Sequence, residues 1–73
     1  MKNRNFKTIE KRNVTTDIYR IIGSCEIQQP DGKWIPMWWG KEYHIFDGVE
    51  KLTPNSQDFI ESKDKTEDWL YNR

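Results

Sequence analysis

The tetrapeptide Gln29-Pro30-Asp31-Gly32 joins two apolar stretches that together run from Tyr19 to Ile45, and it constrains the fold more than any other feature of the chain. Pro30 presets φ for the second position of a type I turn and Asp31 suits the third. Gly32 can take the left-handed conformation that a three-residue hairpin loop with a G1 bulge requires. Such a turn pairs Gln29 with Lys33 and fixes the register. Ile27 then faces Ile35, Cys25 faces Met37, Gly23 faces Trp39 and Tyr19 faces Tyr43. Because strand side chains alternate, Tyr19, Ile21, Cys25, Ile27, Ile35, Met37, Trp39, Tyr43 and Ile45 share one face, interrupted by Gly23 and Lys41. A one-residue slip would mix that set with Arg20, Ser24, Glu26 and Gln28. Turn chemistry and hydrophobic pattern therefore agree on one long β-hairpin.

Gly23 and Gly40 fall at the same level of this ribbon, and glycine inside a strand often marks a bulge or a bend. The preferred reading is a hairpin bent there, with Trp39 lying across the bare backbone of Gly23. The competing reading is a meander, with a Gly40-Lys41 turn and a third strand starting at Glu42.

The remaining segments complete one small domain over residues 1–73, with residues 1–5 as a frayed basic start. Phe6 to Arg12 reads as an edge strand whose lysines discourage further pairing, and Asn13 to Asp17 as a polar connection. Asp47-Gly48 is a second turn signal, followed by a short returning strand over Val49 to Leu52. Thr53-Pro54 can open a helix, which would dock Phe59 and Ile60 on the sheet. Asp64 and Glu67 have capping-box spacing ahead of a last helical turn at Trp69-Leu70-Tyr71. The fold class expected is β-rich α+β: a small antiparallel sheet built on the bent Tyr19–Ile45 hairpin, with one or two short C-terminal helices.

A chain of 73 residues that is only 34% apolar has a marginal core. It has no alanine, the best helix former, so composition also leans towards strands. Ten aromatic residues offset the shortage, since each can bury roughly 150–250 Å². Self-association, as a dimer, is the expected way to complete such a core. Net charge is zero, with 12 basic and 12 acidic residues, but the basic excess lies in the first 41 residues and the acidic excess after them. Internal attraction between the halves is the simpler reading of that asymmetry. A single cysteine excludes an intrachain disulfide and suits a reducing, cytoplasmic setting. No apolar run has the length of a signal peptide or a membrane span. An alanine-free, Lys- and Asn-rich short chain is the kind expected from a phage or mobile element.

Catalytic constellations are missing. Thiol chemistry would need Cys25 and His44 together, and the preferred register puts them on opposite faces. Structural zinc takes four Cys or His ligands, and the chain has one of each. Neither a P-loop nor a GxGxxG occurs, so no enzyme, metal or cofactor is expected. Binding is the better-supported class. Trp34 and Trp38, either side of Pro36, project from one strand face. Ile22 and Phe46 extend this patch, and Lys33, Lys41 and Arg20 supply cations. The alternative is that Trp34 and Trp38 belong to a second core, covered by the N-terminal strand or the C-terminal segment.

Three partners fit an exposed patch: a protein, whether a host factor or a second copy of the chain; a small nucleotide-like ligand, stacked on Trp with phosphates on Lys33, Lys41 or Arg20; and single-stranded nucleic acid, which zero net charge disfavours. The fragments Asp31-Gly32…Pro36-x-Trp38 and Glu67-Asp68-Trp69 resemble a phage family of small β-rich proteins that sequester nucleotide immune signals. That resemblance implies a nucleotide sponge and carries no site residue over. The function expected is that of a small non-enzymatic phage protein that inhibits or sequesters a host factor through an aromatic patch. The alternatives are a nucleotide sponge, or a structural or accessory subunit of a larger assembly.

Overall fold

The Pro30-Asp31-Gly32 turn closes with Gln29 N donating to the Lys33 carbonyl at 2.7 Å and Gly32 N to the Gln29 carbonyl at 2.9 Å. Lys33 N adds a bond to Asp31 Oδ1, 2.9 Å long, and Gly32 holds φ at 89°, the left-handed region that glycine occupies without strain. In the computed structural model, which describes residues 2–71, the elements are β1 (Asn3–Asn13), β2 (Ile18–Gln28), β3 (Trp34–Phe46), β4 (Val49–Leu52), β5 (Gln57–Ile60) and α1 (Lys63–Tyr71). The five strands form one antiparallel sheet in the order β1-β2-β3-β4, with β5 also paired to β3. The molecule is thus mostly β with one C-terminal helix, a small β-rich α+β fold.

β2 and β3 pair from Ile18↔His44 to Gln28↔Trp34, with Ile27↔Ile35, Cys25↔Met37, Gly23↔Trp39 and Tyr19↔Tyr43. β3 runs unbroken through Gly40 and Lys41, so the chain makes no meander turn there. Its next turn is at Asp47-Gly48, where both residues have positive φ, 52° and 77°. That is the type I′ geometry whose twist matches a two-residue hairpin. β4 and β5 occupy the same edge of β3 one after the other, β4 along Tyr43–Phe46 and β5 beside Trp38 and Gly40. The opposite edge is β1. Its pairing with β2 shifts between Arg4 and Lys7 and again between Thr8 and Glu10, and Asn5 in the first irregularity has φ of 56°. Bulges and lysines together blunt that edge against further strand pairing.

Three expectations are corrected. Residues 3–5 are not frayed but belong to β1, because Arg4 and Asn5 both bond the Glu26 carboxylate and Gln28 N donates to the Lys2 carbonyl; Met1 lies outside the described residues. Thr53-Pro54 opens no helix. Thr53 Oγ1 donates instead to Glu42 Oε2 at 2.6 Å, and Ser56 Oγ accepts from Glu42 N at 3.0 Å. That ties the segment to β3, and the chain continues into β5, where Ile60 pairs with Trp38 and Phe59 stays exposed. The cap of the single helix is Ser62 rather than Asp64: Ser62 Oγ accepts from Lys65 N at 3.2 Å, satisfying one of the unpaired donors of the first turn.

Alternation divides the sheet into two faces. The even-numbered positions of β2 and β3 carry α1, whose inward side is Thr66, Trp69 and Leu70. The indole of Trp69 lies on Gly40, where any Cβ would collide with the ring. Beneath the helix, Arg20 Nε meets Glu42 Oε1 at 2.9 Å, and both side chains are buried. Arg20 also donates to the Trp69 carbonyl and stacks 4.5 Å from the Trp69 ring centre, while Arg12 Nη1 reaches the Leu70 carbonyl at 3.0 Å. Those two guanidinium groups satisfy carbonyls near the helix C-terminus that have no partner within the helix. Ile22 and Leu70 complete this core with no exposed surface. The odd-numbered face bears no helix and no second sheet among the described residues.

Candidate functional site

Helix α1 covers only the half of its face centred on Ile22 and Gly40. Towards the Pro30 turn, the same face continues as an aromatic ledge of Trp34, Pro36 and Trp38. Pro36 is exposed, and the two tryptophans are half-buried. Strand geometry separates the two indole-bearing positions by about 13 Å, four residues apart on one face. The Arg4 guanidinium lies 3.8 Å from the centre of the Trp34 ring, a cation–π contact that fixes that indole at the rim. Trp38 sits between Ser24 of β2 and Ile60 of β5.

Beside Trp38 the surface sinks into a concavity of about 390 Å³. Its walls are Asn5, Lys7 and Ile9 of β1, Ser24, Cys25 and Glu26 of β2, Pro36 and Trp38 of β3, and Lys63 at the start of α1. The first bulge of β1 shapes one side, and the N-terminus of α1 shapes the other. Glu26 is held there by Asn5 and by Arg4, whose Nε is 3.2 Å from Oε1. The hydrogen bond from Asn5, with the Arg4 guanidinium behind it, keeps the Glu26 carboxyl below the usual carboxylate range against a smaller effect of burial. Glu26 is therefore ionised at neutral pH. The concavity thus presents an aromatic wall, an anchored carboxylate and two lysine-bearing positions.

The structure separates the six residues singled out from the sequence. Trp34 and Trp38 share the ledge. Lys33 is exposed at the turn beside Trp34. Phe46 is on the same face but about 27 Å from Trp38 along β3, eight residues on, and it is two-thirds exposed beside His44. Lys41 is on the other face, with its ammonium 5.5 Å from the Trp39 ring centre. Arg20 is not a surface cation for a ligand phosphate: it is buried under α1, bound to Glu42 and to the Trp69 carbonyl. Lys7 and Lys63 take the places beside Trp38 that Lys41 and Arg20 were expected to fill. No sequence signal near Trp38 points to them, because a bulge in β1 and the starting point of α1 bring them in.

Cys25 is buried and sits on the face opposite His44, and burial pushes its thiol up from the usual range. Among the described residues no group of three or more His, Cys, Asp or Glu side chains is placed to hold a metal ion, and no helix is long and apolar enough to cross a membrane. No protein-family model, curated protein or solved structure matches the chain.

Proposed function

We propose that this chain is a small non-enzymatic binding protein, phage-encoded and acting in the host cytoplasm, that inhibits or sequesters a host protein through the Trp34–Pro36–Trp38 ledge. The observation that supports this reading is the open concavity beside Trp38 on a face that α1 covers only in part. A ledge on a paired strand loses little conformational freedom on binding, and a depression next to it can accept a partner's side chain. A bend of the ribbon at Gly23 and Gly40 is part of the proposal, since it would turn the ledge away from the helix-covered half. Truncating an anchor of this kind typically costs 2 kcal/mol or more, so Trp38→Ala should weaken the complex roughly thirtyfold or more. The test places a photo-crosslinking side chain at Pro36 and irradiates host cells producing the protein. One predominant host adduct, lost in Trp38→Ala while circular dichroism is unchanged, is the expected result. Adducts indifferent to Trp38, or a Trp38→Ala chain that merely melts earlier, would show that Trp38 is only core.

A second reading is favoured by Lys7 and Lys63 lining the same concavity as Trp38. Stacking on an indole with one or two phosphates on lysines suits a nucleotide-type signalling molecule, which needs few cations. In that case the purified protein should release a nucleotide on denaturation and be stabilised against heat by cyclic nucleotides. Neither effect is expected of the protein-binding reading.

A further inference from the structure

The outer edge of β3 is left open at one end. Backbone groups alternate in direction along the strand. Lys33 accepts from Gln29 N at 2.7 Å and Ile45 N donates to the Asp17 carbonyl at 2.7 Å, so odd-numbered residues turn to the β2 side. Glu42 accepts from Thr53 N at 2.8 Å and donates to Ser56 Oγ at 3.0 Å, so even-numbered residues turn the other way. On that outer side β4 pairs with Phe46 and His44, the connection from Thr53 to Ser56 holds Glu42, and β5 pairs with Gly40 and Trp38. Pairing stops at Ile60, and the chain leaves the sheet to start α1 behind the Ser62 cap. Among the described residues nothing pairs with Trp34 or Pro36 on this side. The edge there presents the Trp34 N–H and the carbonyls of Trp34 and Pro36. Proline has no N–H to offer, and its ring is tolerated in this strand because its nitrogen faces the edge and not β2.

We propose that an extended segment of the host protein adds to this edge as a strand, antiparallel to β3 and in line with β5. The proposal rests on the reading that the Trp34–Pro36–Trp38 ledge holds a host protein, and it specifies the form in which that protein arrives. The backbone groups choose the occupant. In an antiparallel pair the residue opposite Trp34 both donates and accepts, which matches the two outward groups of Trp34. The residue opposite Pro36 needs only to donate. A foreign strand meets both demands. A second copy does not, because its own edge has the same surplus of carbonyls, and two such edges would leave carbonyls without donors. Residues directly opposite each other point to one face, so both paired residues of the segment project onto the ledge. The side chain opposite Pro36 then lies diagonally between the two indoles, over the ring that leaves most room. Main-chain bonds supply general affinity in this mode, and that one side chain, held apolar by its indole neighbours, supplies the selectivity.

The probe is a displayed library of short linear peptides selected on the full chain, with the best binder then synthesised. NMR of the complex should show slower exchange of the Trp34 amide and a contact between the Ile35 Hα and an Hα of the peptide, because odd-numbered Hα atoms face the open edge. Methylating the peptide's backbone amides singly should weaken binding roughly fivefold or more at alternate positions and leave the positions between them unaffected. Trp38→Ala, checked for folding by circular dichroism, should weaken the same peptide roughly thirtyfold or more. A peptide that needs Trp38 but leaves the Trp34 amide in free exchange, with no alternation in the methyl scan, would overturn strand addition and keep the ledge reading. A peptide indifferent to Trp38 would overturn both. Selection that yields no binder overturns strand addition, and crosslinking at Pro36 then judges the ledge by itself. Protection of the Trp34 amide that rises with protein concentration, without peptide, would assign the edge to a second copy and overturn the proposal.

Discussion

The two faces of the central ribbon use the same device with opposite results. On each, a tryptophan lies across a glycine: Trp69 over Gly40 on the helix side, Trp39 over Gly23 on the other. On the helix side the indole belongs to a separate element, so packing it closes a core over Ile22 and Leu70. There the buried Arg20–Glu42 pair is fully hydrogen-bonded: Glu42 also accepts from Thr53 at 2.6 Å and Asn55 at 3.1 Å. On the open side Trp39 comes from the sheet itself. Its indole fills the gap at Gly23 and donates to the Ser24 carbonyl at 3.3 Å, but it brings no second layer. What separates a finished face from an unfinished one here is the origin of the aromatic ring rather than the amount of apolar sequence.

The largest effect should come from the finished face. Glu42→Ala leaves the Arg20 guanidinium buried beside an empty site and removes the acceptor of Thr53 and Asn55. Breaking a buried pair by removing one partner costs about 3–5 kcal/mol, enough to unfold a domain this small. Urea titration followed by circular dichroism measures it, and a loss under 1 kcal/mol would mean that the pair is not the keystone of that face. The glycines come next. A Cβ at Gly23 overlaps both the Trp39 ring and the backbone carbonyl of Lys7, whereas the three atoms nearest to one at Gly40 all belong to the Trp69 ring. A ring can shift and a paired backbone cannot, so within the roughly 1–3 kcal/mol range for overpacking Gly23→Ala should sit above Gly40→Ala. The reverse order would make the helix the tighter of the two packings.

The pH response separates the faces further. Burial pushes Glu42 up, but the hydrogen bonds from Thr53, Arg20 and Asn55 outweigh it, and its carboxyl lies below the ordinary value of 4.5. The unfolded chain therefore binds a proton that the folded chain refuses. Stability from this group is intact above pH 4.5 and falls as pH drops towards the folded value. Tyr19 on the open face behaves oppositely. Burial first, then the hydrogen bond to Glu50, raise its phenol above 10.0, so its contribution holds below pH 10.0 and is lost as pH rises through the folded value. Melting temperature against pH should fall at both ends. Glu42→Gln should flatten the acid limb and Tyr19→Phe the alkaline limb, each without touching the other. At the exposed tip, Phe46→Ser should shift stability by no more than about 0.5 kcal/mol, because the side chain is already largely in water.

Much of this sheet is legible in the residues. Pro30-Asp31-Gly32 and Asp47-Gly48 are local signals whose backbone demands few other residues meet, and alternation carries the register along β2 and β3. The helix cap and β5 escape such reading because tertiary partners decide them. Thr53 has the right chemistry for a cap, yet its hydroxyl goes to Glu42, eleven positions earlier. Arg20 reads as a strand-surface cation because its charge is visible in the sequence while the covering helix, 43 residues downstream at its start, is not. Lys7 and Lys63 stand beside Trp38 only because β1 bulges and α1 starts where Ser62 caps it.

Ile21 and Ile22 are neighbours in the chain and point to the two faces, so their methyl groups report on the central claim side by side. Methyl NMR with a soluble paramagnetic probe measures their access to solvent. The account predicts that Ile22 is shielded, while Ile21, Ile35 and Ile45 are accessible. Methyls of Ile21, Ile35 and Ile45 as shielded as those of Ile22 would contradict it.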